Sequence, residues 1–226
     1  MFNKGKSKYS AIEIAKWFIK NNLDNPRDEF WGNMKLQKLL YFAQLIHLYK
    51  YDEVLFEEPI RAFERGPVVE SVRQTYKNDN NNIVEQAKKM KDIFDKKVED
   101  TLNLTAEIFG PFDAHELSDM SHDHECWERS LENSKNQYGF YEKDKSIIPI
   151  KELRELNLDN ISQIIEAKRK VAQLNHKKKK IKCITFNYDP EEIDLDEELI
   201  DELRKFKGRD KAYTIYKDSS QGLVIY

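Results

Sequence analysis

The sequence contains few of the residues and motifs that build catalytic, redox or metal sites. Its 226 residues include two cysteines and seven glycines, and they contain no Gly-rich phosphate loop and no G-x-S-x-G or H-E-x-x-H motif. The cysteines, Cys126 and Cys183, lie far apart in ordinary pattern, which indicates a reducing, cytoplasmic setting. We therefore expect no enzymatic activity and no bound cofactor.

Long apolar runs are also missing. No stretch of about 18 apolar residues occurs, so we expect no membrane span. The first eight residues, M-F-N-K-G-K-S-K, lack the apolar region of a secretory signal. The net charge of -3 gives no global preference for nucleic acid. A charged share of 35% together with an aromatic share of 12% indicates a water-soluble protein with a packed core.

The most strongly patterned stretch of the chain runs from Met34 to Val69. Its first half predicts an amphipathic helix that is apolar on most sides, with Asn33 as its N-cap. A helix of this kind belongs at the centre of a helical bundle. Four polar residues are expected to mark its remaining outer side: Lys35, Gln37, Lys38 and Gln44.

The second half of this stretch is predicted to be extended and then to turn. Residues 51–65 contain Pro59 and a short alternation of apolar and polar residues, which indicates an extended or loop segment. The pair Gly66-Pro67 indicates a turn that starts the next helix, because proline is tolerated in a first helical turn.

Further helices are predicted on both sides of this stretch. Ser10 and Asp113 each precede a glutamate by three residues, which is the pattern of a capping box at a helix start. Residues 83–109 have a helical pattern whose apolar stripe drifts, so we expect a break within them. Residues 133–145 are mostly polar and contain Gly139, which predicts a loop.

The composition changes near Ile181. Residues 183–188 alternate β-branched and aromatic positions, which predicts a strand. Asp189-Pro190 is expected to open an acidic helix that ends before Gly208, and residues 212–216 and 223–226 predict two further strands. The fold class that follows is mainly α, a compact helical domain with a central amphipathic helix and a small C-terminal β-α-β-β appendage. The predicted domains are 9–156, a connecting helix with a basic end at 157–180, and the extension at 181–226.

One cluster contains residue types that bind zinc: His115, His122, His124 and Cys126. Their H-x-H-x-C spacing matches no familiar zinc signature, and no CxxC pair accompanies it. We expect these side chains to make local hydrogen bonds at a helix junction and to bind no metal.

Two terminal features carry concentrated charge. The basic run from His176 to Lys182 could contact phosphates, but the neighbouring acidic helix would repel a duplex, so we do not expect a nucleic-acid partner. The acidic helix has an apolar face expected to pack on the terminal strands, while its carboxylates could steer a basic protein partner. The candidate partner-binding residues are Glu191, Glu192, Asp194, Glu197, Glu198 and Asp201.

Three motifs in order carry a resemblance to a known family. They are K-L-Q-K-L-L-Y-F-A-Q at 35–44, A-F-E-R-G-P-V-V at 62–69 and L-S-D-M-S-H-D-H-E-C-W at 117–127. Over residues 9–156 the chain resembles the Panacea domain, also called the SocA-like antitoxin domain, of bacterial prophages and mobile elements. The family commonly has threonine where this chain has Ser121, and often proline where it has Cys126.

The resemblance implies a mostly helical, non-enzymatic antitoxin of a type II-like toxin–antitoxin system. Such a protein binds and neutralises a cognate toxin by direct contact, and one family member delivers its toxin to an AAA+ protease. The C-terminal extension is not part of the shared domain and is therefore a place where we expect partner specificity. The residues that match the family motifs, most of them expected to be scaffold, are Leu36, Lys38, Leu39, Tyr41, Phe42, Gly66, Pro67, Val68, His122 and Trp127.

Two other functions stay open at the level of sequence. The protein could be a phage or mobile-element accessory protein that binds a host factor. It could also be a nucleic-acid-binding regulator that uses Lys177–Lys180.

Overall fold

The computed structural model describes residues 7–91, 94–173, 177–190, 193–208, 211–218 and 222–225. The chain divides into two compact units, Met1–Ile164 and Ile165–Tyr226. No helix within the described ranges is long and apolar enough to cross a membrane.

The first unit is helical with one small hairpin. Its elements, in chain order, are α1 (Ala11–Lys20), α2 (Trp31–Tyr51), β1 (Ile60–Phe63), β2 (Gly66–Val69), α3 (Glu70–Asn78), α4 (Asn80–Lys89), α5 (Lys96–Phe109), α6 (Ala114–His122), α7 (Glu125–Asn133) and α8 (Ile150–Leu156). A single 3₁₀ turn spans Lys143–Lys145, and α9 (Leu158–Gln173) continues into the second unit. The predicted break within 83–109 is the connection between α4 and α5.

Helix α2 is the centre of the first unit, and between Lys35 and Leu48 it has no outer side. Every residue from Lys35 to Leu48 is buried, and the ring of Phe42 stacks on that of Phe109 with centroids 4.1 Å apart. The prediction that the four polar residues Lys35, Gln37, Lys38 and Gln44 face outward is therefore wrong. They are tolerated inside because each one bonds to a backbone group, and buried polar atoms with partners avoid most of the desolvation cost.

The start of α2 also differs from the prediction. The helix begins at Trp31, and the carboxylate of Asp28 accepts hydrogen bonds from the N–H groups of Phe30 at 2.9 Å and Gly32 at 3.4 Å. Asn33 is therefore not the N-cap. It lies inside the first turn, where its side-chain amide donates to the carbonyl of Arg73 at 3.1 Å.

The Gly66-Pro67 pair begins a strand. The prediction that it is a turn that starts the next helix is therefore wrong. Strands β1 and β2 pair antiparallel, with Ala62 opposite Pro67, and helix α3 starts only at Glu70. The N–H of Ala62 donates to the carbonyl of Ser146 at 2.7 Å, on the side of β1 that faces away from β2. Ala62 and Pro67 therefore exchange no hydrogen bonds between the strands, and the missing N–H of Pro67 leaves the hairpin intact.

Both predicted capping boxes are present. The Ser10 hydroxyl accepts from the N–H of Glu13 and the Glu13 carboxylate accepts from that of Ser10. Asp113 and Glu116 make the same reciprocal pair at the start of α6. These contacts pair N–H groups that the first helical turn would otherwise leave unsatisfied.

The described residues of the second unit form the end of α9, a four-stranded sheet and a further helix. The elements after α9 are β3 (Lys177–Ile181), β4 (Ile184–Tyr188), α10 (Glu197–Lys205), β5 (Ala212–Asp218) and β6 (Gly222–Ile225). The strands are adjacent in chain order, and β4 and β5 pair parallel while the outer pairs are antiparallel. Its buried centre consists of Ile181, Phe186, Ile193, Leu203 and Ile215.

The second unit therefore has one strand more than the predicted β-α-β-β. The basic run was expected to end a helix, but Lys177–Ile181 is an edge strand whose four lysines are exposed. Lysines on an edge strand prevent pairing with other chains, which is a physical reason for the run. The acidic helix is also shorter than predicted, because it starts after Asp196, whose carboxylate accepts from the N–H of Leu199 at 2.8 Å.

Candidate functional site

The hairpin β1–β2 is held by four side chains that come from three different helices. We call their contacts the hairpin clamp. Helix α2 supplies two residues, and α6 and α7 supply one each. Lys38 Nζ donates to the Pro67 carbonyl at 3.2 Å, Gln37 Oε1 accepts from the Val69 N–H at 2.9 Å, Ser118 Oγ donates to the Arg65 carbonyl at 3.1 Å, and Trp127 Nε1 donates to the Phe63 carbonyl at 2.9 Å.

Gly66 is the residue that lets the hairpin turn approach these helices. Its φ is +94°, in the region that side chains with a Cβ rarely adopt. A Cβ atom at this position would lie 2.6 Å from both Lys38 Nζ and Ser121 Oγ. Both the backbone conformation and the surrounding space therefore require glycine here.

Lys38 is an unusually buried cation. The residue is 1% exposed, and its one hydrogen bond to another described residue is to the Pro67 carbonyl. Within the described part of the chain no carboxylate pairs with it. Burial lowers the pKa of Lys38 to about 7. The ammonium and the neutral amine are therefore both populated near neutral pH.

His122 and Trp127 stack beside the hairpin. Their ring centroids are 4.2 Å apart, and the buried Nε2 of His122 has no hydrogen-bond partner among the described residues. Burial lowers the pKa of His122, and the positive charge of Lys38 lowers it further. A neutral His122 ring is compatible with stacking on the indole and with a cation nearby.

The remaining motif side chains do not form a metal centre. The hydroxyl of Tyr41 lies 2.6 Å from His124 Nδ1 and 3.4 Å from Cys126 Sγ, while His115 is exposed and lies 3.0 Å from Asp119. The four residues considered as zinc ligands are therefore divided among three local contacts. No group of three or more His, Cys, Asp or Glu side chains in the described ranges is placed to hold a metal ion.

Burial keeps the Tyr41 cluster uncharged. It raises the pKa of the Cys126 thiol to about 11, raises that of Tyr41, and lowers the pKa of His124 to about 4. A thiol with a raised pKa is a poor nucleophile and a poor metal ligand, because both roles require the thiolate. The cluster is a neutral hydrogen-bonded part of the core.

A groove of about 670 Å³ opens beside the hairpin clamp. Its walls are the first turn of α2, the hairpin, helix α3 and the loop that follows α7. Lys38 is one of the lining residues, and since it is almost completely buried it lies at the bottom of the groove. The aromatic lining residues are Phe30, Phe63, Phe140 and Tyr141.

The rim of the groove carries charges of both signs. Two of its cations, Arg73 and Lys143, are paired with Glu70 at 2.6 and 2.7 Å. Partial burial acts to raise the pKa of Glu70, but hydrogen bonds from Arg73, Gln74 and Lys143 lower it to about 2. Glu70 is therefore ionised, and its single negative charge is shared by these two cations. The guanidinium of Arg65 lies over the Phe30 ring, 4.7 Å from its centroid.

The ten motif residues lie either in the core or beside the hairpin clamp. Leu36, Leu39, Tyr41 and Phe42 are buried in the core, and the other six lie at the clamp. The acidic residues predicted to contact a partner lie in the second unit. Glu191 and Glu192 lie outside the described residues. The other four are exposed on α10 or just before it: Asp194, Glu197, Glu198 and Asp201.

Several side chains of the clamp and the groove were not identified from the sequence. Gln37 and Ser118 lie within the quoted motifs, but their pattern gave no sign that they bond to a distant hairpin. Phe140 and Tyr141 lie in a segment interpreted as a polar loop. The Y-G-F-Y run at 138–141 was the available signal, because exposed aromatic residues close together are typical of binding surfaces.

A comparison with protein families identifies this architecture. Residues 36–128 match the family model described as antitoxin SocA-like, Panacea domain. Over these residues the chain is similar to the Panacea domain family. No curated protein and no solved structure matched the chain in two further comparisons. The Panacea match extends from α2 into α7 and includes all four side chains of the hairpin clamp.

The close packing of the hairpin clamp around Gly66 predicts that one added methyl group strongly lowers stability. Gly66→Ala should lower the free energy of unfolding by about 2–4 kcal/mol, because backbone strain and a clash with Lys38 and Ser121 act together. Gly139→Ala is the matched control. Its φ is +81° but a Cβ there would meet nothing within 4 Å, so strain alone should cost about 1–2 kcal/mol. Urea denaturation measures both, and equal losses would show that the clamp leaves room for a side chain.

Lys38 predicts a pH dependence of stability. Its ordinary pKa is 10.5 and its pKa in the folded protein is about 7, so between these values the unfolded chain binds more protons. The contribution of Lys38 to the free energy of unfolding therefore rises with pH above 7, with a slope of at most about 1.4 kcal/mol per pH unit. The difference in unfolding free energy between wild type and Lys38→Met should change in this direction from pH 7 to 8.5. A difference that stays constant would mean that Lys38 keeps its ordinary pKa.

Proposed function

We propose that this protein is an antitoxin that neutralises a cognate toxin protein by direct contact. The Panacea match over residues 36–128 carries the proposal, since it is a match to an antitoxin-like domain. The proposal goes beyond the domain match in naming, for this chain, direct protein contact as the mode of action and a toxin as the partner.

The chemistry of the motif residues supports binding over catalysis. The Cys126 thiol has a raised pKa and the adjacent His124 a lowered one, which is opposite to what an activated thiol with a general base requires. The hydrogen-bonding groups of Gln37, Ser118 and Trp127 are used to hold the hairpin. We therefore propose that the protein is not an enzyme and that its motifs build a rigid platform.

The acidic helix of the second unit is proposed as a specificity surface. Asp194, Glu197 and Glu198 are exposed, while the apolar residues of α10 pack against the sheet of the same unit. An exposed carboxylate surface of this kind accelerates association with a basic partner through long-range attraction. Its contribution would be largest at low ionic strength.

A nucleic-acid-binding function is the second candidate, and one observation favours it. Four consecutive lysines, Lys177 to Lys180, are exposed on the edge strand β3. Phosphate binding by these lysines would weaken steeply with added salt. Because protection of the edge strand also explains lysines at these positions, we place this function after the antitoxin.

Co-expression with the product of the adjacent gene tests the proposed function. We expect that product to stop growth when expressed alone and growth to be restored when this protein is co-expressed. The two proteins should also elute as one complex. A product that is harmless alone, or that still kills in the presence of this protein, would contradict the proposal.

A shortened chain that ends at Gln173 lacks the sheet and the acidic helix of the second unit and can be tested in the same assay. It should keep a helical circular dichroism spectrum, because the buried centre of the second unit consists of its own residues. It should restore growth less well than the full chain if the acidic helix contributes to partner binding. Full rescue by the shortened chain would show that the acidic helix is not needed for neutralisation, and it would not contradict the antitoxin function.

A further inference from the structure

We propose that the groove beside the hairpin clamp binds an extended, acidic segment of the partner protein. In this arrangement an aspartate or glutamate of the partner reaches Lys38 at the bottom of the groove, and its apolar neighbours pack on the groove aromatics. The inference rests on the proposed function only in taking the partner to be the toxin. It places the contact in the Panacea domain, separate from the acidic helix of the second unit.

The size and lining of the groove fit a peptide segment. A volume of about 670 Å³ lies in the range of sites that enclose a ligand of several side chains. Phe30 and Phe140 line it and are 46% and 70% exposed, values that are large for phenylalanine in the absence of a partner. Contact with apolar side chains would remove this surface from water, which is the main favourable term in protein association.

The aromatic wall is held in place before any partner arrives. In the loop after α7, the Asn136 carboxamide oxygen accepts from the N–H groups of Tyr138 at 2.9 Å and Phe140 at 3.1 Å. The backbone N–H of Asn136 donates in turn to the Phe140 carbonyl at 2.8 Å. A turn that is already ordered loses little entropy on binding, which favours affinity.

The charge at the bottom of the groove selects an anion. The Lys38 ammonium has three N–H groups and one protein acceptor, the Pro67 carbonyl, and no carboxylate in the described ranges pairs with it. At the rim, Arg73 and Lys143 share the single carboxylate of Glu70, and Arg65 lies over an aromatic ring. The groove lining also includes Lys77 and the acidic Glu29 and Glu64, so the selection of an anion rests on Lys38 and not on the rim. A carboxylate entering the groove would complete the hydrogen bonding of Lys38 in a site of low dielectric, where charged hydrogen bonds are strong.

A phage-displayed library of random twelve-residue peptides tests this inference without knowledge of the toxin. We expect the full-length protein to enrich peptides with Asp or Glu next to an aromatic or large apolar residue. A fluorescent peptide of the enriched sequence should bind about tenfold more tightly than its Asn or Gln counterpart, as expected for a charge-assisted hydrogen bond.

Two matched pairs of variants locate the binding site. Lys38→Met should abolish the preference for the acidic peptide, whereas Lys35→Met should keep it, because Lys35 lies on the same helix but donates to the Gly110 carbonyl outside the groove. Phe140→Ala should weaken binding about tenfold. Tyr138→Ala should not, since Tyr138 is 75% exposed in the same loop but does not line the groove. The Phe140 and Tyr138 pair is on the surface and does not depend on the buried substitutions folding.

Several outcomes would overturn the inference. They are the absence of any enriched peptide, an enriched sequence without a carboxylate, or a preference that persists in Lys38→Met. Binding of inorganic phosphate in the absence of any peptide binding would instead assign the groove to a phosphorylated ligand. A dimer in sedimentation experiments that Phe140→Ala dissociates would assign it to a second copy of this chain. Restored growth in the co-expression assay alongside any of these results would leave the antitoxin function intact and remove only the groove.

Discussion

The hydrogen bonds between buried polar side chains and the β1–β2 hairpin are the interaction on which the rest of the first unit depends. A hairpin of two four-residue strands is too small to be stable alone, so its position must come from outside. Helix α2 supplies Gln37 and Lys38 for this purpose, and leaving either hairpin partner unpaired in the core would cost about 1–3 kcal/mol. The same contacts fix the hairpin wall of the groove.

Lys38 connects the scaffold to the proposed binding role. It holds the Pro67 carbonyl, its ammonium requires glycine at position 66, and it lies at the bottom of a groove lined with aromatic side chains. Burial of a cation with no counter-ion among the described residues reduces stability, and the same burial lowers the pKa of Lys38. Residues that reduce the stability of the free protein in this way are characteristic of sites where a partner later supplies the missing interaction.

The helical architecture and both capping boxes could be predicted from the sequence, because these features depend on residues close together in the chain. The predictions that failed depend on distant contacts. Lys35, Gln37, Lys38 and Gln44 were assigned to an outer face because polar residues usually mark solvent, and their buried partners are as far away as Gly110. The lysine run was predicted to end a helix because the pairing with β4 that makes it a strand leaves no trace in its own composition.

The candidate site was also predicted only in part, because its assembly depends on distant contacts. The motifs were located correctly, and their residues were expected to be mostly scaffold, but no local pattern shows that three motifs converge on one hairpin. Phe140 and Tyr141 were missed because the surrounding polar residues and Gly139 predict a loop, and only the fold brings that loop beside α2. A loop held by a rigid scaffold is where binding residues commonly lie, which the polarity of a segment does not reveal.

Hydrogen exchange at the amide of Val69 tests the clamp most directly. This N–H donates to the buried Gln37 side chain and not to a strand or helix partner, so its protection reports on the clamp itself. We predict that it exchanges only through global unfolding, with the same opening free energy as the amides in the middle of α2. Exchange through a much less costly local opening would contradict the account, because it would show that the hairpin moves independently of the helix that is proposed to hold it.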